Sequence, residues 1–307
     1  MHMTSPFATP AAPFGRVLTA MVTPFTPDGA LDLDAAAKVA KKLVDAGSDG
    51  LVVSGTTGES PTTNPDEDGR LLAAVLSAVG DRATVVAGVG NNDTQASARL
   101  ARQAKAEGAH GTLLVSPYYN KPPQAGLLRH FLTVADAGDG LPVMLYDIPG
   151  RAVVRIAPET YHAVAQHEAI VAVKDAVGDL ASGSTLMRDT GLAWYSGDDA
   201  LNLAWLAHGA AGVVSVVSHV AAAQYAAMVR AIDAGELGEA RAINEALLDV
   251  VATIMSPESQ GAIMAKAALQ VRGVLEHRTV RSPYVDATDD QVDRLREVLD
   301  TAALLKD

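Results

Sequence analysis

The stretch AIVAVKDAVGD, residues 169–179, runs through five residues without a polar side chain and then presents a lysine, Lys174. A strand with one wet face would alternate apolar and polar residues. A continuous apolar run instead describes a strand covered on both faces, as in parallel sheets. The core of this stretch, IVAVKD (170–175), is one of eight such runs, with RVLTAMV (16–22), GLVVSG (50–55), TVVAGV (84–89), GTLLVS (111–116), PVMLYD (142–147), LAWYSG (192–197) and AGVVSV (211–216). Between them lie alanine-rich segments of helical period, such as DLDAAAKVAKKLVDAG (32–47) and NDTQASARLARQAKAEGA (92–109). Each has Asp or Asn near its start and Gly near its end, as helix caps require. Eight strand-helix units with parallel strands predict an α/β fold, a (β/α)8 barrel of the TIM type. The competing open, doubly wound sheet would carry a dinucleotide or phosphate loop. GVGNND (88–93) lacks the last glycine of G-x-G-x-x-G, and no G-x-x-x-x-G-K-[ST] occurs.

Beyond about residue 234 the strand pattern stops, and residues 235–255, 261–275 and 288–305 read as three more helices. The expected organisation is a loose N-terminal arm (1–14), the barrel (15–234) and a C-terminal α-helical extension (235–307). With 307 residues, 49% of them hydrophobic and 20% charged, the chain can bury a large core. A formal net charge of −12 without clustered Lys and Arg argues against a nucleic-acid partner. The absence of cysteine excludes disulfides, a thiolate nucleophile and thiolate metal sites. Of the eight histidines only His162 and His167 lie close in sequence; five residues apart, they share a helix face poorly and read as surface residues, so no metal is expected. The opening MHMTSPFATPAAPFG lacks the cationic start and apolar core of a signal peptide, which makes the cytoplasm the expected location. Residues 210–229 imitate a membrane span but are interrupted by Ser215, Ser218, His219 and Gln224. They read as a strand and a helix of a core, with Ser218 as the N-cap and no membrane contact.

In such a barrel, active sites gather at the carboxyl ends of the strands. There the sequence places Ser54 to Glu59, Ser116 to Asn120, Tyr146 and Asp147 followed by Arg151, then Lys174, Ser196 to Asp198, and Ser215. Hydroxyls, one amine and one guanidinium converge on a single rim. A lysine confined there can shed its proton, because desolvation disfavours the charged form. Lowering its pKa from about 10.4 to near 7 costs roughly 4 to 5 kcal/mol, which a partly dry site can supply. The neutral amine is a nucleophile toward a carbonyl carbon and forms a Schiff base. Such chemistry needs proton shuttles, for which a tyrosine hydroxyl linked to a threonine hydroxyl is suited. It also needs an anchor for an anionic keto acid, which consecutive N–H groups of the Gly55–Thr57 turn could provide.

The motifs GTTGES, SPYYNKP, LYDIPGR, VAVKDA and YSGDDALNL stand in the order and roughly at the spacing of a known family. On them the chain, from about residue 15 to 305, resembles the Schiff-base-forming pyruvate aldolases of the dihydrodipicolinate synthase and N-acetylneuraminate lyase type, and within it the synthase branch. The resemblance implies that Lys174 forms the imine with pyruvate and that Tyr146 shuttles protons. It implies that Thr56 links Tyr146 to Tyr119, the latter contributed by a neighbouring subunit of a tight dimer within a homotetramer. Thr57, with Thr56, would hold the pyruvate carboxylate, Arg151 would hold the carboxylate of L-aspartate 4-semialdehyde, and Gly197 and Val214 would line the pocket through their carbonyls. No cofactor is implied. Asp147 stands where many members have asparagine and is expected to point away from the pocket. At the family's lysine feedback site, Pro65, Asp68 and Ala96 occupy the places of two histidines and a glutamate, while Ser60, Asn92 and Tyr118 remain. Weak or absent inhibition by lysine is therefore expected. The alternatives within the same residues are an aldolase for a sugar-derived keto acid and a silent keto-acid sensor.

Overall fold

A computed structural model describes residues 11–305. Each of the eight expected runs forms a strand: β1 (Val17–Ala20), β2 (Gly50–Val53), β3 (Thr84–Gly88), β4 (Gly111–Val115), β5 (Val143–Asp147), β6 (Ile170–Asp175), β7 (Ala193–Ser196) and β8 (Gly212–Ser215). All neighbours pair in parallel, and β8 closes on β1 through Val17, Leu18 and Thr19 against Val213, Val214 and Ser215. Almost every strand residue is buried, which is why no alternation marks the sequence.

The helices are α1 (Leu33–Asp45), α2 (Pro65–Val79), α3 (Thr94–Glu107), α4 (Gln124–Ala137), α5 (Pro149–Ala152), α6 (Pro158–Val164), α7 (Leu180–Thr190), α8 (Asn202–Ala207), α9 (Ser218–Asp233), α10 (Leu237–Ile254), α11 (Gly261–Val271) and α12 (Asp289–Thr301). Caps fix where the outer helices start. Asp32 accepts from Ala35 N–H, Asp93 from the N–H groups of Gln95 and Ala96, and Asn64 with Glu67 forms a reciprocal capping box. At the start of α9 the expected cap is corrected. The Ser218 hydroxyl donates to the Ser215 carbonyl, and it is the Ser215 hydroxyl that accepts the Ser218 N–H. Ser218 is thus the first helical residue; Val217 holds the cap position with no side-chain cap, and the Ser215 hydroxyl at the end of β8 takes the first free N–H.

Residues 1–10 of the expected loose arm lie outside the described residues. Within 11–14, Ala12 and Phe14 are buried. Phe14 plugs the floor of the barrel: a Cβ on Gly111, the first residue of β4, would fall 2.3 Å from the Phe14 ring. The Thr84 hydroxyl donates to the Phe14 carbonyl at 2.6 Å, and the Tyr195 hydroxyl donates to the Gly15 carbonyl at 3.0 Å.

The three C-terminal helices share one apolar cluster with the barrel, including Leu247, Ile254, Leu269, Leu295 and Leu299. Along α11 every residue from Ala262 to Leu269 is buried, so this helix is sandwiched rather than laid on a surface. Among the described residues no helix is long and apolar enough to cross a membrane.

Candidate active site

β6 carries Lys174 to the open end of the barrel. In register it faces Tyr146 of β5 on one side and Tyr195 of β7 on the other. The Tyr195 hydroxyl reaches down to the floor, filling the interior beneath the lysine. Lys174 is 4% exposed, and its Nζ sits 4.2 Å from the centroid of the Tyr146 ring. Burial pushes the ammonium down to about 8; the buried carboxylate of Asp199 resists, and the Arg151 guanidinium assists. This is less depression than a value near 7, yet it leaves roughly a tenth of the amines neutral at pH 7, against well under a thousandth for an ordinary lysine.

Tyr146 is buried as well, and burial pushes its hydroxyl up to about 12, while Arg151 and the adjacent Thr56 side chain pull the other way. At neutral pH it is a protonated hydroxyl beside an amine, as a proton shuttle requires. Thr56 and the buried Thr57 sit in the turn between β2 and α2. The turn is closed by bonds from Glu59 N–H to the Thr56 carbonyl (3.1 Å) and from Ser60 N–H to the Gly55 carbonyl (3.2 Å). The N–H groups of Thr56 and Thr57 donate to no other described backbone group, which leaves two adjacent donors for an anion.

Arg151, on the short helix α5, donates to the Gln260 side chain at 2.5 Å and is close enough to bias both Lys174 and Tyr146. Gly197 follows β7 directly. A Cβ there would fall 2.8 Å from Lys174 Cγ, 3.0 Å from its Cε and 2.8 Å from the Asp175 carbonyl oxygen, so only glycine leaves room for the lysine stem. Val214 is buried in β8 opposite Leu18, one residue below Ser215.

Thus Lys174, Tyr146 and Thr56 come together, with Thr57, Gly197 and Arg151 around them. Tyr119 does not join them within one chain. It is 85% exposed on a left-handed backbone (φ 71°) in the loop after β4. Asp147 points the other way from Tyr146, into the gap toward α6. There it accepts from Ile156 N–H (3.1 Å) and the Tyr161 hydroxyl (3.0 Å), and burial pushes its carboxyl up to about 7.

Sequence reasoning missed Asp199. Its buried carboxylate accepts from the Ser215 hydroxyl, from Asn202 Nδ2 (3.0 Å) and from the N–H groups of Val216 (2.9 Å) and Val217 (3.1 Å). Two adjacent aspartates after β7 were the available signal, and only the first, Asp198, was drawn into the rim. Among the described residues no group of three or more His, Asp or Glu is placed to hold a metal ion. His167 pairs with Asp136 and is only partly exposed.

A profile of the Dihydrodipicolinate synthetase family matches residues 13–302. A protein of Kineococcus radiotolerans named 4-hydroxy-tetrahydrodipicolinate synthase is 60% identical over 98% of this chain and 97% of its own length. One of the same name from Acidothermus cellulolyticus is 61% identical over 93% and 92%. Among solved structures, the lysine-bound enzyme of Cyanidioschyzon merolae has a TM-score of 0.91 at 40% identity, covering 95% of this chain and 99% of that one. The pyruvate complex of the Acinetobacter baumannii dihydrodipicolinate synthase has 0.88 at 30% identity, over 94% and 99%. With a profile match across nearly its whole length, an eight-stranded barrel of the same shape and a buried lysine at the rim, this chain belongs to the dihydrodipicolinate synthetase family.

Proposed function

We propose that the chain is a 4-hydroxy-tetrahydrodipicolinate synthase, condensing pyruvate with L-aspartate 4-semialdehyde in lysine and diaminopimelate biosynthesis. The observation that carries the mechanism is Lys174 itself, buried, lowered to about 8 and stacked 4.2 Å over Tyr146. Its neutral amine attacks the keto carbon of pyruvate. The new C–N bond replaces the carbonyl, whose oxygen leaves as water with two protons taken up through Tyr146 and Thr56. The Thr56–Thr57 turn holds the pyruvate carboxylate. Loss of a methyl proton gives an enamine, whose carbon bonds to the aldehyde carbon of the second substrate. The amine of that substrate then displaces Lys174, closing a six-membered ring and regenerating the free lysine. Arg151 holds the second carboxylate, and carbonyl oxygens at Gly197 and Val214 line the pocket. The reading requires no cofactor.

Tyr119 completes the relay from a neighbouring subunit of a tight dimer, two of which form a homotetramer; its exposure and left-handed backbone support a residue offered outward. A cytoplasmic location fits this biosynthetic role. Arg151 also separates this reading from an aldolase for sugar-derived keto acids, which has no second carboxylate to hold.

Borohydride reduction in the presence of pyruvate should fix a stable adduct on Lys174 and none in Lys174→Ala. Coupled turnover should follow with aspartate semialdehyde and not with N-acetylmannosamine or glyceraldehyde. An adduct elsewhere would overturn the mechanism, turnover only with the sugar aldehydes would overturn the substrate, and an adduct without any turnover would mark a sensor.

A further inference from the structure

Outside the reacting groups, the rim holds a second buried lysine. Lys266 of α11 is fully buried, forms an ion pair with the buried Glu59, and donates to the Thr279 carbonyl at 2.7 Å. Its Nζ lies 4.2 Å from the centroid of the Phe25 ring. Burial pushes its ammonium down to about 8, and Glu59 opposes that. The other Glu59 oxygen accepts the Arg281 N–H at 2.9 Å. The Arg281 guanidinium in turn binds the Gly29 and Thr62 carbonyls and both oxygens of Glu67. The C-terminal segment thereby grips the turn that carries Thr56 and Thr57, and the residues on either side of it.

That turn is held in an unfavourable shape. Ser54 (φ 52°) and Glu59 (φ 59°), the two residues bracketing Gly55 to Gly58, both adopt left-handed backbone conformations that side-chain-bearing residues avoid. Such conformations persist only when their surroundings over-determine them, and they concentrate at working sites. At Glu59 the fixing contact is the pair with Lys266; inside the turn, the Thr23 hydroxyl donates to the Gly58 carbonyl at 2.6 Å. The same α11 has Gln260 as its N-cap residue, the partner of Arg151. One sandwiched helix thus touches the supports of both carboxylate anchors.

We propose that the Glu59–Lys266 pair is a positioning element for the reaction: by pinning the strained 54–59 turn to α11, it holds the Thr56 and Thr57 donors in the geometry that receives the keto-acid carboxylate. The proposal rests on the reading of that turn as the pyruvate cradle. Its signature is a loss of keto-acid affinity that is separable from any loss of stability.

The test compares full-length wild type with Glu59→Gln, Lys266→Met and the double variant, by pyruvate-dependent borohydride trapping at Lys174 and by thermal unfolding. Glu59→Gln keeps the shape and the acceptor for Arg281 N–H, and the double variant removes both charges, a change that often restores stability to a buried pair. Well below each variant's unfolding temperature, the pyruvate concentration for half-maximal trapping should rise by about tenfold or more in all three, with a smaller change in the saturating rate. Persistence of that rise in a double variant of wild-type stability supports positioning. Wild-type half-saturation in either Glu59→Gln or the double variant makes the pair merely structural and overturns the proposal. Absence of any Lys174 adduct in the wild type would instead overturn the underlying functional reading.

Discussion

Replacing Lys174 by methionine should abolish imine formation and yet make the protein more stable. The lysine has a pKa of about 8 in the fold and an ordinary value of 10.5 when the chain is unfolded. Between these values the unfolded chain binds more protons, so stability rises with pH across that window. Below pH 8 the disadvantage is complete: at about 1.4 kcal/mol per decade of proton affinity, folding around the charged amine costs about 3 kcal/mol at pH 7. It falls to about 2 kcal/mol at pH 9 and has nearly vanished at pH 10.5. Methionine has similar length, carries no charge and leaves the neighbouring Tyr146 ring its contact. Denaturant unfolding of both proteins from pH 6 to 10.5, at matched concentration because self-association contributes to stability, measures the difference directly. Lys266, also lowered to about 8, is common to both proteins and cancels. Equal stability at pH 7, or a gap that does not close toward pH 10.5, would refute the claim that desolvation of this amine sets its proton affinity.

Three further outcomes follow from the rim. Gly197→Ala places a methyl group against Lys174 Cγ and the Asp175 carbonyl, both at 2.8 Å; it should slow borohydride trapping by about a hundredfold while the barrel circular-dichroism signal persists. Asp199→Asn removes the carboxylate that favours the charged lysine, so the pH midpoint of trapping should move below that of the wild type; an upward or absent shift sinks the assignment. Lysine should inhibit only weakly, with half-inhibition in steady-state turnover above about 1 mM, a binding free energy weaker than about −4 kcal/mol. The cavity of about 570 Å³ between α2, α3 and Tyr118 contains Pro65 and Ala96, which cannot pair with an ammonium, and Arg99, which repels one; its one carboxylate, Asp68, is already engaged by the Ser54 and Thr63 hydroxyls.

The barrel was legible because its strands are buried on both faces and so spell uninterrupted apolar runs, which no surface strand would do. Lys174 was legible for the same reason, as a charge that ends such a run. Gly197 was recognisable by family likeness, but the reason for it, the lysine stem lying against its α-carbon, is visible only in three dimensions. Asp199 escaped because its role depends on Ser215, Asn202 and the start of α9, which the closing of β7 and β8 brings around it. Glu59 and Lys266 are separated by 207 residues, and no periodicity links a turn after the second strand to a helix beyond the eighth. The Ser218 cap was misassigned for a smaller reason: two serines three residues apart both suit a helix start, and the backbone decides which hydroxyl faces the free N–H.

Phe14, wedged under the first residue of β4, turns the barrel into a blind well. Solvent can reach the amine from above only, so whatever settles into the opening acts as a lid as well as a guest. With Lys174 only 4% exposed, such a guest covers what little of the amine is still open. A guest seated there adds to the burial that already lowers the proton affinity of the amine, while a carboxylate on that guest pulls the other way.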